Sequence, residues 1–443
     1  MSTNAEVDLG SPLVVGFGVT GQAVTRALVS RGVTPTVIDD RPSDVARQTA
    51  ETLGVELIVA PSSDEVAGLV GVASVLLPTP GLPDHHVAVA TARAQGLPIR
   101  SEFDLARLWD DRPIVTITGT NGKTTVTMLV TEALERSGRH AVAVGNTEVP
   151  LVEALDDPTV DVFVVEASSF RLGHTGCFAP AVATWLNLAP DHLDNHGTAE
   201  AYEAAKAAIW RDLGPDSVAI GNLDDPAVMR HLPEVNSVTF GLDAGDWRIE
   251  NGHLVGPAGA VVAVADLVRR QPHDLTNAAA VAATAFAAGA ALEHIAATLI
   301  DFVGLDHRVQ LVGEWDGVAW YNDSKATVPH ATLAAVGGFA SVVLIAGGRN
   351  KGLDMAALAA AVPPVRAVVA TGDAAAEIAA VFEPLVEVRQ AGSMEEAVAQ
   401  AGTLASSGDV VLLSPSCTSY DWYANYGERG RDFMRLVKER HDT

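Results

Sequence analysis

Thr118-Gly119-Thr120-Asn121-Gly122-Lys123-Thr124-Thr125 stands between an apolar run and a helical one. Glycines at this spacing let backbone N–H groups converge on phosphate oxygens, and a helix start adds positive potential. Lys123 is placed to neutralise β- and γ-phosphate charge, and the Thr124 hydroxyl to ligate Mg2+. The standard pattern has glycine where this chain has Ile117, so a chance Gly-Lys-Thr at a helix start is the competing reading.

Gly16-Phe17-Gly18-Val19-Thr20-Gly21 follows another apolar run, and Asp39 ends the next one. Alone, this is the fingerprint of a dinucleotide site with Asp39 on a ribose hydroxyl; another nucleotide diphosphate or mere tight helix–sheet packing fits as well. Glu166 ends Val160–Val165, where an α/β sheet meets its ligand. A carboxylate there needs a cation, so an Mg2+ ligand or a helix-capping group is expected. Asp191-His192 offers a metal or phosphate ligand, or an ordinary surface loop. Lys206, among apolar residues of a helix over 199–212, reads by itself as a solvated or snorkelling lysine.

Farther on, Asn322-Asp323-Ser324-Lys325-Ala326-Thr327 and Gly347-Gly348-Arg349-Asn350-Lys351 each follow an apolar strand. In a chain of net charge −26, Arg308, Lys325, Arg349 and Lys351 are candidates for a local anion site. Ser414-Pro415-Ser416-Cys417-Thr418-Ser419 has no His–Asp partners in sequence, so it is read as hydrogen-bonding a substrate rather than as carrying a nucleophile.

The elements that must hold these residues alternate short β-branched runs with helices, which predicts parallel sheets covered on both faces. Strands are expected at 12–17, 35–39, 55–59, 74–77, 113–118, 160–166, 181–187, 341–346, 365–370 and 409–413. Helices are expected at 20–30, from Thr124, at 276–292 and near 431–440, with an antiparallel insertion between Trp247 and Val264. The 443 residues divide most simply into three domains. The acidic balance argues against a nucleic-acid partner, and two distant cysteines argue against a disulfide framework. The first fifteen residues carry two acids and no Lys or Arg, unlike a secretory signal, and no stretch has the apolar length of a membrane span. A cytoplasmic protein is expected.

Together these motifs resemble the Mur ligase family, in family order from Gly16 to Phe433. Gly119–Thr124 is similar to its ATP loop, in which the missing first glycine is normal. Glu166-Ala167-Ser168-Ser169-Phe170 and Asn187-Leu188-Ala189-Pro190-Asp191-His192-Leu193-Asp194 resemble its two central motifs. Lys206 falls where the family carries a carbamylated lysine, and the segments at 322–327 and 414–419 point to the D-glutamate-adding branch. The resemblance implies an α/β fold of three tandem domains. These are a Rossmann-like UDP-binding domain (1–100), a P-loop ATPase-like domain with a small antiparallel insertion (101–304), and a Rossmann-like C-terminal domain (305–443).

It also implies ATP, two Mg2+ ions, UDP-N-acetylmuramoyl-L-alanine and D-glutamate as ligands, and a monomer. Gly18, Val19, Thr20, Asp39, Arg41 and Asn146 would then bind the UDP substrate. Gly119, Thr120, Asn121, Gly122, Lys123, Thr124, Thr125, Asn277, Arg308 and Asp323 would bind ATP. Thr124, Glu166, His192 and carbamylated Lys206 would hold metal, and Lys325, Thr327, Lys351, Ser419, Tyr420 and Tyr426 would meet glutamate. Of these, Lys123, His192, Lys206 and Lys325 would take part in catalysis. Three departures from the family pattern are Glu148 in Gly145-Asn146-Thr147-Glu148, Val328 after Thr327, and Asp40 beside Asp39. They bear on amino-acid choice and glutamate stereochemistry, and they keep open a paralogous ligase with another acceptor.

Competing functions each leave a motif idle. A folylpolyglutamate-synthetase-like ligase does not explain Gly16–Gly21. An NAD-dependent oxidoreductase does not use the Lys123 loop. A non-catalytic nucleotide sensor needs neither Glu166, His192 nor Lys206.

Overall fold

The computed structural model describes residues 9–147, 149–189, 191–350 and 353–441. The chain forms two compact units, Met1–Phe302 and Val303–Thr443. Glu148 and Lys351 lie outside the described residues.

The first unit opens with a parallel sheet of β1 (Pro12–Val15), β2 (Thr36–Asp39), β3 (Leu57–Val59) and β4 (Val75–Pro78) in the order β3-β2-β1-β4. β1 and β4 are buried along their whole length, as apolar runs between helical layers require. Next come β5 (Ile114–Thr118), β6 (Ala141–Gly145), β7 (Val162–Glu166), β8 (Val182–Trp185), β9 (Val218–Asn222) and β10 (Ser237–Phe240). They form a second parallel sheet in the order β10-β9-β8-β5-β7-β6. A three-stranded antiparallel sheet, β11 (Arg248–Glu250), β12 (His253–Gly256) and β13 (Gly259–Ala263), is the expected insertion.

In each parallel sheet the connections run to both sides of one strand. β1 lies between β2 and β4, and β5 between β7 and β8. Beyond the carboxyl end of such a strand the flanking loops diverge and leave a crevice. Gly16 follows β1 and Gly119 follows β5, so both glycine segments stand at these switch points.

The second unit has a six-stranded sheet of β14 (Gln310–Trp315), β15 (Val318–Asn322), β16 (Val342–Gly347), β17 (Val365–Thr371), β18 (Glu387–Ala391) and β19 (Val410–Ser416). Its order is β14-β15-β19-β16-β17-β18. β14 pairs antiparallel with β15, which departs from the purely parallel alternation expected. Asp316 and Gly317, both at positive φ, make a two-residue hairpin turn there.

The Ala-rich helix expected at 276–292 is two helices. Pro272–Ala287 starts with proline in its first turn, Gly289 at φ +96° breaks the chain, and Leu292–Asp301 follows. The last helix is longer than expected, Tyr426–His441. Cys177 and Cys417 are free thiols. Among the described residues no helix is long and apolar enough to cross a membrane.

Candidate functional site

In the first unit the site is built from the turn that β5 feeds into the helix Lys123–Arg136. Gly122 caps that helix at φ +84°, and a Cβ there would stand 2.5 Å from Asn277 Oδ1. Both the left-handed backbone and the close approach exclude a side chain. Gly119 is at φ +156°, with Leu186 Cβ only 2.9 Å from where its own Cβ would be. Asn187, just after β8, shapes the turn from outside: its Oδ1 accepts the N–H groups of Thr120 (3.0 Å) and Asn121 (2.8 Å).

Lys123 Nζ donates to the carbonyls of Gly119 and Thr120, both at 2.9 Å. Lys206 Nζ donates to the same Gly119 carbonyl at 2.7 Å. Lys206 is 1% exposed, which corrects the solvated side chain that the residues alone suggested. Its helix, Ala199–Ala207, ends earlier than expected in a 3-10 turn, Ala208–Trp210, and turns Lys206 inward beneath the Tyr202 ring, 4.7 Å from Nζ. Burial, and after it the Lys123 ammonium, hold the Lys206 amine well below the usual lysine value, against the opposing pull of Asp191 and Glu166.

Glu166 ends β7 in register with Ile117 and Gly145. It is buried; Oε1 accepts from Asn146 Nδ2 at 3.0 Å, while among the described residues Oε2 has no hydrogen-bond partner. A buried, unpartnered carboxylate oxygen is what a hard cation would satisfy, so these residues fit Mg2+. Among the described residues no three His, Cys, Asp or Glu side chains gather into a closed cage. His192, at φ +52°, lies 3.4 Å from Asp191 Oδ2, with its ring 4.8 Å from Phe170.

The other crevice, of about 730 Å3, is lined by Gly16, Gly18, Asp39, Arg41, Thr79 and His86, among others. Gly16 (φ +90°) and Gly21 bring helix and strand together: a Cβ on Gly21 would sit 2.1 Å from the Gly16 carbonyl oxygen. Asp39 is engaged locally, its Oδ2 accepting from Phe17 N at 2.5 Å and its Oδ1 from Arg41 N at 2.8 Å. Val19 is exposed, and Thr20 Oγ1 accepts from Arg171 Nη2 at 3.0 Å. Asn146 stands at the central sheet rather than in this crevice.

In the second unit Asp323 is buried at the end of β15. It accepts from Ser414 Oγ at 2.7 Å and from Val309 N at 3.2 Å, and burial pushes its carboxyl up to about 6. Lys325 Nζ lies 5.3 Å from the Tyr426 ring centre. Thr327 is partly buried, Ser419 is buried, and Arg308 and Tyr420 are exposed. Arg349 pairs with Asp373 at 3.1 Å.

Several organising residues escaped the sequence reading. Buried Arg429, on the last helix, donates to Ser324 Oγ and Ser324 O (both 2.9 Å) and to Cys417 O (3.1 Å), tying the 322–327 and 414–419 segments together. Arg171 and its partner Glu102 are likewise buried. Nothing in their local sequence separates them from solvated charges; only the fold shows what they meet.

Three stretches of the chain match known domains. Residues 11–101 match the Mur ligase MurD-like N-terminal domain, 117–266 the Mur ligase middle domain, and 307–417 the Mur ligase glutamate ligase domain. The UDP-N-acetylmuramoylalanine--D-glutamate ligase of Frankia casuarinae is 41% identical over 97% of this chain and 94% of its own length. That of Shouchella clausii is 38% identical over 96% of each chain. Among solved structures, a pseudomurein peptide ligase type C from Methanothermus fervidus gives a TM-score of 0.56 at 18% identity, covering 98% of this chain and 100% of its own. The UDP-N-acetylmuramate-alanine ligase of Thermotoga maritima gives 0.53 at 18% identity, covering 97% and 99%. At such identities these two structures speak for the fold alone.

Proposed function

Since this chain belongs to the Mur ligase family, we propose that the residues gathered above carry out an ATP-dependent ligation through an acyl phosphate. The enzyme forms a C–N bond, joining D-glutamate to UDP-N-acetylmuramoyl-L-alanine at the expense of ATP. The reaction belongs to peptidoglycan precursor synthesis, and we place it in the cytoplasm, in a monomer. The observation that supports the site assignment most is the buried, unpartnered Glu166 Oε2 at the sheet edge that also bears the Lys123 turn.

We assign residues 1–100, in Rossmann-like fashion, to the UDP substrate, with Gly18, Val19, Thr20, Asp39 and Arg41 around the uridine diphosphate and Asn146 beyond it. Residues 101–304 act as a P-loop-like ATP module, through Gly119–Thr125 and Asn277. Residues 305–443, also Rossmann-like, supply Arg308 and Asp323 to the nucleotide and Lys325, Thr327, Lys351, Ser419, Tyr420 and Tyr426 to glutamate.

A carboxylate resists amines because its charge is delocalised, so a carboxylate oxygen of the substrate first attacks the γ-phosphorus and ADP departs. The protein's part is positioning and charge neutralisation. Lys123, which rests on the Gly119 and Thr120 carbonyls, swings its ammonium to the phosphates as they enter. Thr124, Glu166, His192 and modified Lys206 would hold Mg2+, two ions in all, which when bound offset negative charge on phosphate and carboxylate. The glutamate amine then adds to the acyl carbon, and the tetrahedral adduct expels phosphate. Lys325 steadies the charge of the incoming amino acid.

Lys206 carries its role as a carbamate. Its depressed basicity raises the share of neutral amine, whose nitrogen bonds to the carbon of CO2 and loses a proton. The product is an anion beside Lys123, able to orient a cation that an ammonium would repel. 13C NMR in 13C-bicarbonate should show one carbamate resonance that K206R lacks; a spectrum identical for both overturns the modification.

The function is tested by phosphate release and product mass with ATP, UDP-N-acetylmuramoyl-L-alanine and a panel of amino acids. Turnover with D-glutamate and a product heavier by one glutamyl residue is expected. Turnover only with another amino acid would make this a paralogous ligase, and NADH oxidation without ATP would overturn the reading.

A further inference from the structure

Arg171 lies in the short helix Ser169–Gly173 immediately beyond Glu166, and its guanidinium is almost wholly buried. Its nitrogens reach three separate parts of the first unit. Nε is 2.7 Å from Glu102 Oε1, Nη1 donates to Asn146 Oδ1 at 3.2 Å, and Nη2 donates to Thr20 Oγ1 at 3.0 Å. Asn146 passes the line on, since its Nδ2 donates to Glu166 Oε1 at 3.0 Å.

The chemistry of this line fixes its direction. A guanidinium only donates, and an ionised carboxylate only accepts. Between them the Asn146 amide has one orientation, oxygen to Arg171 and nitrogen to Glu166. The same guanidinium occupies an acceptor site of the Thr20 hydroxyl, leaving the hydroxyl hydrogen to another acceptor. Thr20 is in the first turn of the helix whose cap, Gly18, lines the large crevice. One planar cation thus holds both Thr20, two residues beyond the Gly18 that lines the crevice, and Asn146, which donates to the proposed metal carboxylate. Lysine has no such fork.

We propose that Arg171 is a positioning residue for the ligation: it locks the Thr20 hydroxyl and the Asn146 amide together, so that the UDP substrate is held in register with the Glu166 carboxylate. This rests on the functional reading given above. The plainer role for Arg171 is to neutralise buried Glu102, and the two roles separate experimentally. R171K keeps a cation for Glu102 but cannot span Thr20 and Asn146. E102M/R171M removes the ion pair altogether with similar side-chain volume, an exchange that folded cores tolerate.

The experiment measures steady-state ligation, with thermal unfolding as the fold control. For R171K, kcat/KM for the UDP substrate should fall roughly 10-fold or more. The Mg2+ concentration at half-maximal rate should rise while KM for ATP stays within about twofold. E102M/R171M should show the same pattern with cooperative unfolding retained. T20V should cost the parent several-fold but add almost nothing in the R171K background, because the hydroxyl is already unheld. Parental kinetics in either folded variant, or fully multiplicative effects of T20V and R171K, would overturn the proposal. A parent enzyme that ligates no glutamate would instead overturn the functional reading itself.

Discussion

The ammonium groups of Lys123 and Lys206 donate to one acceptor, the carbonyl oxygen of Gly119, at 2.9 and 2.7 Å. Two cations on one carbonyl, one of them buried, cannot both stay charged cheaply. Lys206 is the one whose charged form is disfavoured, and burial is the chief cause.

A stability signature follows. The Lys206 pKa is lowered in the folded state, so between that lowered value and about 10.5 the unfolded chain binds the extra proton. Native stability therefore rises with pH through this window, by at most the equivalent of one proton. Denaturant unfolding from pH 7 to 10 in CO2-free buffer should show the rise in the parent and its loss in K206M. The same slope in both would contradict the burial argument.

Glu166→Gln should leave stability equal or higher, because it removes the charge of a buried carboxylate that, among the described residues, is hydrogen-bonded through one oxygen only. The Mg2+ requirement for phosphate release should shift upward about tenfold or more. An unchanged Mg2+ titration would take Glu166 out of the metal site.

Gly122→Ala would force a Cβ to 2.5 Å from Asn277 Oδ1 on a backbone at φ +84°. The left-handed conformation alone costs about 1–2 kcal/mol. Displacement of Asn277 should also raise KM for ATP, with KM for the UDP substrate unchanged. Equal stability and equal KM would show that the turn is looser than its contacts imply.

How much of this was legible beforehand follows from the reach of each signal. Local chemistry was readable: the Gly119–Thr125 turn, the Gly16–Gly21 turn and Glu166 at a strand end all depend on neighbours in sequence. The antiparallel insertion showed through its glycine and asparagine breaks. The state of Lys206 was not readable from its own helix, because what buries it is Tyr202 on one side and the Gly119 turn, 87 residues earlier, on the other. Arg171 and Arg429 were invisible for the same reason. Their partners Thr20, Glu102, Ser324 and Cys417 come from distant segments, and a buried arginine has no composition mark of its own. The split of the Ala-rich helix was signalled by Gly289, a residue whose role was decided only by its left-handed backbone.

Asp323 illustrates a proposed ATP-binding residue held at a cost to stability. Its carboxyl is raised to about 6 from 3.8, so between those values the folded chain binds the extra proton and stability falls as pH rises. The penalty at pH 7 is on the order of 3 kcal/mol. Asp323→Asn should be as stable as the parent or more so at pH 7, lose that pH dependence, and bind ATP more weakly. A destabilised D323N with parental ATP affinity would make Asp323 a structural group only.

The central claim is that ATP activates the substrate carboxylate before the amine arrives. UDP-N-acetylmuramoyl-L-alanine labelled with 18O in its carboxylate decides it. If an acyl phosphate forms, one labelled oxygen leaves with phosphorus, and each turnover gives phosphate carrying a single 18O. Unlabelled phosphate, with peptide product still forming, would contradict the account.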